Sequence, residues 1–583
     1  MHDIEELQKI RLIIDAFKEY ELIEDIHKID NNYCLKVRIT INGEGSVYVP
    51  KSSDWYIVFD GNGVDFYPSN TNSITATFQH QALNELKENL PFRLGKPCLD
   101  TPSDSLYLPS SHYSEPLTGK KFYWYLQRML KWLDDAAQNK LVKAGDQFEL
   151  PVVPYNIKEI LLYKEGQISD WSDFNADCGY AYLKNLTLAN RKYLVLDKIF
   201  DKTTTKTCSA PEWGSLKEDF RGKVLAAWIK LKDLPVIKPW QYPKTWEELV
   251  DACHRQNISI ERKMAGLLNK RLGKISNLLL VAPIPERIGD QPKSYYWMQI
   301  ILPAINFPCK GFRNSVDGLL HYLKARALKG PLLIGATQNC DDAAIRTRGS
   351  VDKVIKELNF CVIGCGALGS MLCESLTRMG IKNLHIIDSD CVNIGNLARH
   401  ISTLDDIGEF KTESLIKRLV KINPSILLSS SAEELSQNNV DKLSGYDVII
   451  DCTGNNSVVS VLQKCTYKSN KTFYIGAFTY GAKKFCYYRC VGNTLDGEAY
   501  FRKTLEFFNS AVEGLGEGEM AWEGIGCYHP VFPAMYSDVS VWANIFANEI
   551  ISNLFNSEEK LIKYYNKTTN SGIEVVVDND FSL

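Results

Sequence analysis

The 583-residue chain reads as an α/β protein in three regions. Residues 1–150 form an α+β unit, 151–340 a middle α/β linker, and 341–583 a domain built on a mostly parallel sheet. Three observations predict this. Strand-like and helix-like segments alternate beyond residue 341, the pattern of a parallel sheet. The cluster Gly364-Cys365-Gly366-Ala367-Leu368-Gly369 stands between an apolar strand and an apolar-striped helix. Short strands separated by turn dipeptides fill residues 33–67.

The elements follow in order. A first helix carries Leu7, Ile10, Leu12, Ile13 and Phe17 on one broad face. Strands are expected at 33–41, 46–49, 55–60 and 64–67, with Asn42-Gly43 and Gly61-Asn62-Gly63 as turns. Irregular, proline-bearing sequence runs from Pro91 to Thr118, and a helix striped with Phe122, Leu126, Leu130 and Leu133 closes the unit. In the middle region, strands are expected at 193–196, 278–283 and 297–303, and helices at 246–255 and 316–328. No catalytic motif stands out there, and it reads as scaffold. In the third region, strands are expected at 360–364, 384–388 and 448–451. Leu368, Met371, Leu372, Leu376 and Met379 repeat at helical spacing until Gly380, a natural terminator.

Composition excludes several functions. Lys plus Arg is 67 and Asp plus Glu is 70, a net charge of −3. A protein that grips nucleic acid needs a basic footprint, so no direct nucleic-acid contact is expected. The first 17 residues interleave acids and bases, unlike a signal peptide. No apolar run approaches the ~20 residues that span a bilayer, so no membrane contact is expected and the protein reads as cytoplasmic. The 16 cysteines form no C-x-x-C pairs, so zinc is not expected. They read as free thiols in a reducing compartment. What remains is which of them are nucleophiles.

The glycine cluster has the context that nucleotide binding needs. Gly364, Gly366 and Gly369 allow a tight turn and close backbone approach to phosphates, and the following helix offers free N–H groups. Asp388 ends the next strand 19 positions after Gly369, where an acid meets a ribose hydroxyl. A glycine turn needed only for packing is the plainer alternative. Asp388 and Asp390 are then followed by Asn396, Arg399 and Lys411, an assortment suited to triphosphate handling rather than to hydride transfer. Asp451 tips the strand 448–451, where a carboxylate can hold Mg²⁺.

The run D-x-D-x-V-x-x-x-N-L-x-R-H, then K-x-E, then I-I-D-C-T-G-N resembles the ThiF/MoeB/ubiquitin-activating adenylyltransferase family over roughly residues 345–583. The resemblance implies a Rossmann-like, ThiF-type adenylation domain that uses ATP and Mg²⁺. It implies attack by a partner protein's C-terminal carboxylate on the α-phosphorus, releasing pyrophosphate. By family role Asp388 meets the ribose with Asp390 beside it. Asn396, Arg399 and Lys411 face the phosphates, and Asp451 holds Mg²⁺. Such enzymes are dimers or pseudo-dimers with an arginine reaching across. Arg346 or Arg348 matches that location, a solvated surface pair being the alternative. His400 stands where the family often has Gln. The absent C-x-x-C pairs argue against the sulfur-carrier branch.

Two cysteines are candidate acyl acceptors. Cys527, in Trp522-Glu523-Gly524-Ile525-Gly526-Cys527-Tyr528-His529-Pro530, resembles the catalytic-cysteine segment of activating enzymes, with His529 close in sequence. A buried structural thiol is its alternative, and Cys365 and Cys452 read as packing residues. Cys98, in Arg93-Leu94-Gly95-Lys96-Pro97-Cys98-Leu99-Asp100, resembles the acceptor segment of a ubiquitin-conjugating domain. Lys96 is expected to lower the thiol pKa. The usual His-Pro-Asn is missing, and His80 and Asn84 are nearby but out of that pattern. The whole-chain order resembles the fused activating–conjugating proteins of CBASS antiphage operons. That implies a substrate, the C-terminal tail of a cGAS-like nucleotidyltransferase, joined to an amine, expected to be a lysine, of a target protein. Competing readings are a sulfur-carrier adenylyltransferase, a nucleotide-bound scaffold and a nicotinamide dehydrogenase.

Overall fold

The computed structural model describes residues 4–581 apart from 61–62, 101–116, 156, 166–175, 204–206, 238, 270, 272, 348, 513–520, 523–529, 532 and 569–571. It divides into two compact units, residues 1–211 with 221–338, and residues 212–220 with 339–583.

The first unit holds two sheets. Strands β1 (Tyr20–Ile29), β2 (Asn32–Thr40), β3 (Ser52–Asp60) and β4 (Gly63–Pro68) form an antiparallel meander in sequence order. Alternation along them buries Leu35, Val37, Ile39, Trp55, Ile57, Phe59 and Phe66 against Leu126, Met129 and Leu133 of the helix Gly119–Ala137. Cys34, Tyr56 and Val58 turn to the other face, where Phe92 of the following loop packs on them. The helix begins where the Thr118 hydroxyl accepts the Lys121 N–H. Two expectations are corrected here. β1 was not foreseen, because Glu21, Glu24, Asp25 and Lys28 mask its alternation; pairing with β2 sets it. Residues 46–49 are not a strand: Ser46 Oγ accepts the Val49 N–H at 3.1 Å, and the Ser46 N–H bonds back to the Val49 carbonyl.

The second sheet has eight strands: β5 (Ile160–Tyr163), β6 (Cys178–Leu188), β7 (Arg191–Asp201), β8 (Thr207–Ser209), β9 (Arg221–Lys230), β10 (Ile275–Ile284), β11 (Ser294–Ile301) and β12 (Leu333–Asn339). Their order is β5-β12-β11-β10-β9-β6-β7-β8, and β5 also pairs with β7, so the sheet closes on itself. Leu279 and Val281 of β10 face the closed interior with Leu161, Leu183, Trp228 and Trp297. Leu278, Leu280 and Ala282 face outward onto the helices Trp246–Arg255, Ile260–Leu268 and Val316–Tyr322. Thr245 and Glu248 form a reciprocal capping box at the first of these helices.

The second unit follows a different plan. Its strands are β13 (Asn359–Ile363), β14 (Asn383–Ile387), β15 (Leu427–Ser431), β16 (Val448–Asp451), β17 (Lys471–Phe478), β18 (Lys484–Gly492), the small pair β19 (Ala521–Trp522) and β20 (Pro530–Val531), β21 (Lys560–Lys567) and β22 (Ile573–Val577). The main sheet runs β15-β14-β13-β16-β17-β18-β21-β22. Strands β15 through β17 are parallel, and β18, β21 and β22 add antiparallel pairs. The helices Ala367–Met379 and Tyr536–Asn553 cover one face, and Asn456–Gln463 and Gly497–Val512 the other. Gly380, at φ +107°, ends the first helix as expected. β13 lies between β14 and β16, so the chain order reverses there. The carboxyl ends of open parallel strands bind ligands at such a point. Among the described residues no helix is long and apolar enough to cross a membrane.

Candidate active site

At that reversal the chain leaves Ile363 and turns through Gly364, at φ +88°, into the helix Ala367–Met379. The turn is gripped from two sides at Cys365. Asp388 Oδ2 accepts the Cys365 N–H at 2.6 Å, while Oδ1 accepts the Asp390 N–H at 2.8 Å. His400 Nε2 donates to the Cys365 carbonyl at 2.5 Å. The tautomer follows from Nδ1, which accepts the Ser402 N–H at 3.1 Å. Burial lowers the His400 pKa, which keeps the imidazole neutral. The clamp by His400 was not foreseen; its place in the motif was visible, but its partner is 35 residues away.

The three glycines do different work. A Cβ at Gly369 would stand 1.8 Å from the Gly364 carbonyl oxygen, so this glycine lets the helix close onto the turn. A Cβ at Gly364 would meet Thr453 at 2.8 Å. A Cβ at Gly366 would meet nothing within 4 Å, so this backbone faces open space at the helix N-terminus. That is where a phosphate group fits.

Around the turn lie the charged groups. Lys411 is buried, with Nζ 2.6 Å from Asp390 Oδ2 and its N–H bonded to the Asp390 carbonyl. Asn396 Oδ1 accepts the Asn393 N–H at 2.9 Å, which folds the short turn Ile394–Asn396. Arg399 lines a cavity of about 360 Å³ with Gly366, Thr453, Gly476, Tyr500 and Phe508. Asp451 ends β16 in register with Ile363. It is 1% exposed, and its Oδ1 accepts the Thr453 N–H at 2.9 Å and hydroxyl at 2.7 Å. Burial pushes its pKa up to about 6. No described cation pairs with it. A buried carboxylate short of a counter-charge suits Mg²⁺, which takes one or two carboxylates and completes its shell with substrate phosphates and water. Among the described residues no group of three or more His, Cys, Asp or Glu is placed to hold a metal, so Asp451 would act with the nucleotide rather than with a protein cage.

Arg346 is an anchor within its own chain. It is 8% exposed, Nε lies 2.6 Å from Asp342 Oδ1, and Nη1 donates to the Arg378 carbonyl at 2.9 Å. It is therefore not a solvated surface residue, and as placed its guanidinium does not project outward. Arg348, Cys527 and His529 lie outside the described residues. Cys365 and Cys452 are buried and their pKa values are raised well above the ordinary thiol value by burial, as packing residues would be.

Cys98 is exposed and lines a cavity of about 540 Å³ with Asp65, Lys96, Asp100, Lys121 and Tyr125. Partial burial raises the pKa of its thiol, and the charges of Asp100 and Glu149 add to the rise. A backbone hydrogen bond at Asp100 and the Lys96 ammonium offset only part of it. The expected influence of Lys96 is there, but it is small: its ammonium lowers the thiol pKa while its Nζ is also paired with Asp65 Oδ2 at 3.0 Å, and burial and the nearby carboxylates leave the net shift upward. Asn84 is a buried brace. Its Nδ2 donates to the Ile74 and Ala76 carbonyls, and its Oδ1 accepts from Arg93 Nε at 3.0 Å.

The clamp at Cys365 carries a first prediction. His400→Ala leaves the buried carbonyl without its donor and is expected to cost about 1–3 kcal/mol. His400→Gln keeps an N–H donor and should recover most of that loss. Calorimetric melting of the two variants checks it; equal losses would show that the carbonyl bond is not what His400 supplies.

The ThiF family matches residues 343–568, and the Cap2 central linker domain matches residues 139–331. The second unit thus carries a ThiF-family domain, of the E1-like, ATP-using class that its glycine turn and charged rim describe. Over nearly its whole length the chain is similar to the ATP-dependent ubiquitin transferase-like protein Cap2 of Enterobacter hormaechei subsp. hoffmannii. The two are 29% identical over 574 residues, covering 94% of this chain and 93% of that protein. Shorter matches include the adenylyltransferase and sulfurtransferase UBA4 of Scheffersomyces stipitis, 31% identical over 21% of this chain and 28% of its own. The molybdopterin-synthase adenylyltransferase of Salmonella typhimurium is 30% identical over 24% of this chain and 60% of its own.

Proposed function

We propose that this chain uses ATP to activate the C-terminal carboxylate of a partner protein and passes the acyl group through two cysteines to an amine. In this reading the carboxylate oxygen attacks the α-phosphorus and pyrophosphate leaves. Gly364, Gly366 and Gly369 bring backbone to the phosphates, and Asp388 and Asp390 serve the ribose. Asn396, Arg399 and Lys411 neutralise phosphate charge, Lys411 exchanging Asp390 for a phosphate oxygen. Asp451 would hold Mg²⁺, which when bound offsets charge on the phosphates. The cavity beside Arg399 takes the end of the partner's tail. We assign the arginine that reaches between the two copies of a homodimer to Arg348, because Arg346 is already anchored.

The Cys527 thiolate then attacks the acyl carbon and AMP leaves. The Cys98 thiolate takes the acyl group from Cys527, and a lysine amine of a target protein finally displaces Cys98. Each thioester preserves acyl reactivity, so one hard condensation becomes several easier steps. Residues 1–150 supply the conjugating site, 151–340 the linker, and 341–583 the activating site. We take the partner to be a cGAS-like nucleotidyltransferase of CBASS antiphage defence, as the resemblance of the whole-chain order implies.

The observation that carries the reading is Cys98: among the described cysteines only it and Cys391 are exposed, and it lines a cavity in the unit that lacks the nucleotide turn. The test incubates the full chain with ATP and a partner bearing its C-terminal tail, resolved on non-reducing gels. Cys98→Ala should accumulate a thiol-sensitive adduct on Cys527 and form no conjugate. Cys527→Ala should form neither. Conjugation that survives Cys98→Ala would favour a plain sulfur-carrier-type adenylyltransferase, and a chain without ATP–pyrophosphate exchange would be a scaffold.

A further inference from the structure

The segment that pairs beside Cys98 contains more than the reading above uses. The bridge between Gln81 and Pro97 runs antiparallel, and two backbone bonds flank it, Ala82 N–H to the Lys96 carbonyl at 2.9 Å and Cys98 N–H to the His80 carbonyl at 2.7 Å. The next register pair therefore sets His80 against Cys98. The two residues therefore stand across from one another on neighbouring chains, within the reach of a histidine side chain.

His80 is held there from a third segment. Glu149 Oε2 accepts the His80 N–H at 2.9 Å and lies 3.3 Å from His80 Nδ1. With its proton on Nδ1 toward Glu149, the ring presents a lone pair on Nε2, which has no hydrogen-bond partner among the described residues. His80 also sits at φ +54°, a backbone conformation few side chains tolerate. The charge of Glu149 is felt at the Cys98 sulfur as well, so the three groups share one neighbourhood. The other charged groups around the thiol are Asp65, Lys96, Asp100 and Lys121. Nucleophile, base and orienting carboxylate is the arrangement that activates cysteines on unrelated folds.

We propose that His80, oriented by Glu149, is the base that takes the Cys98 thiol proton. This rests on the reading of Cys98 as an acyl acceptor. The S–H proton moves to Nε2. The sulfur then bonds the acyl carbon as the bond from that carbon to the donor cysteine breaks, and the donor leaves as a thiolate. The imidazolium so formed lies beside the Glu149 carboxylate. Lys96, shared with Asp65, adds only a part of the activation.

The test is the rate of Cys98 alkylation by iodoacetamide in the full chain, followed by peptide mass spectrometry across pH. His80→Asn keeps a residue that accepts positive φ, so the loop is preserved. It should slow alkylation near pH 7 by about tenfold, the change in thiolate fraction for one unit of thiol pKa, and converge with the parent at high pH. Glu149→Gln decides the mechanism by its sign. A carboxylate acting only through its charge suppresses the thiolate, so its removal would speed alkylation; one that orients His80 supports the thiolate, so its removal slows it. An unchanged rate in His80→Asn, or a faster one in Glu149→Gln, overturns the proposal. Normal alkylation behaviour with conjugation intact in Cys98→Ala would instead defeat the relay and leave the thiol's base standing.

Discussion

Asp451→Asn is expected to abolish ATP–pyrophosphate exchange while making the protein more stable. The carboxylate is buried at the tip of β16 with no cation beside it among the described residues and is pushed up to about 6 by desolvation. A raised carboxyl means that the folded chain keeps a proton the unfolded chain loses between about pH 4 and 6, so stability falls as pH rises through that window. At pH 7 the cost of holding the charge is of order 2–3 kcal/mol. Asparagine keeps an oxygen to accept from the Thr453 N–H and hydroxyl, and carries no charge. The melting temperature should therefore rise, and its decline between pH 4 and 6 should flatten. Exchange should fall by about 100-fold or more, as when a group that stabilises transition-state charge is removed. Exchange near the parent's rate would remove Asp451 from the chemistry; a lower melting temperature would contradict the account of its burial.

The second large effect separates two glycines of one motif. Gly369→Ala places a Cβ 1.8 Å from the Gly364 carbonyl oxygen, backbone against helix, with no flexible atom to yield. It should destabilise the unit by more than about 3 kcal/mol. Gly366→Ala meets nothing, and its φ of −68° with ψ of −160° is open to alanine. That variant should melt like the parent, yet bind ATP more weakly by about 1–3 kcal/mol, roughly ten- to a hundredfold in Kd, because the methyl occupies the space phosphates need. Melting curves and ATP titrations on the pair suffice. Equal stability losses would mean that the turn is only a packing device.

Legibility differed by region for physical reasons. In the second unit, β13, β14 and β16 lie in the middle of the sheet, are largely buried and read as apolar runs, so 360–364, 384–388 and 448–451 matched them within a residue at each end; the edge strand β15, exposed and rich in serine, was not read. In the first unit, β1 escaped because it is rich in charge and two register shifts against β2 interrupt any two-residue period along it. The closed sheet of the linker was mostly hidden as well. Strands β5, β9 and β12 pair with neighbours distant in sequence, and closure through β5 is a tertiary event.

For the site, residue types and spacing were enough to bring the glycine turn, the helix after it and Asp388 side by side, because a turn, a helix N-terminus and an acid at the next strand end are local demands on the chain. The same pattern singled out Cys98 by its loop. It did not determine what each group touches. Lys96 favours the Cys98 thiolate as expected, but it is shared with Asp65 and outweighed by burial; Arg346 is locked to Asp342; Asn84 braces a loop. His400 and Glu149 acquired roles only when segments 35 and 69 residues from their partners came together. Sequence alone determines which chemical groups a chain brings to a site. Their partners, charge and burial come from contacts between distant segments, and a lysine or histidine acts on whatever the fold sets within hydrogen-bond reach.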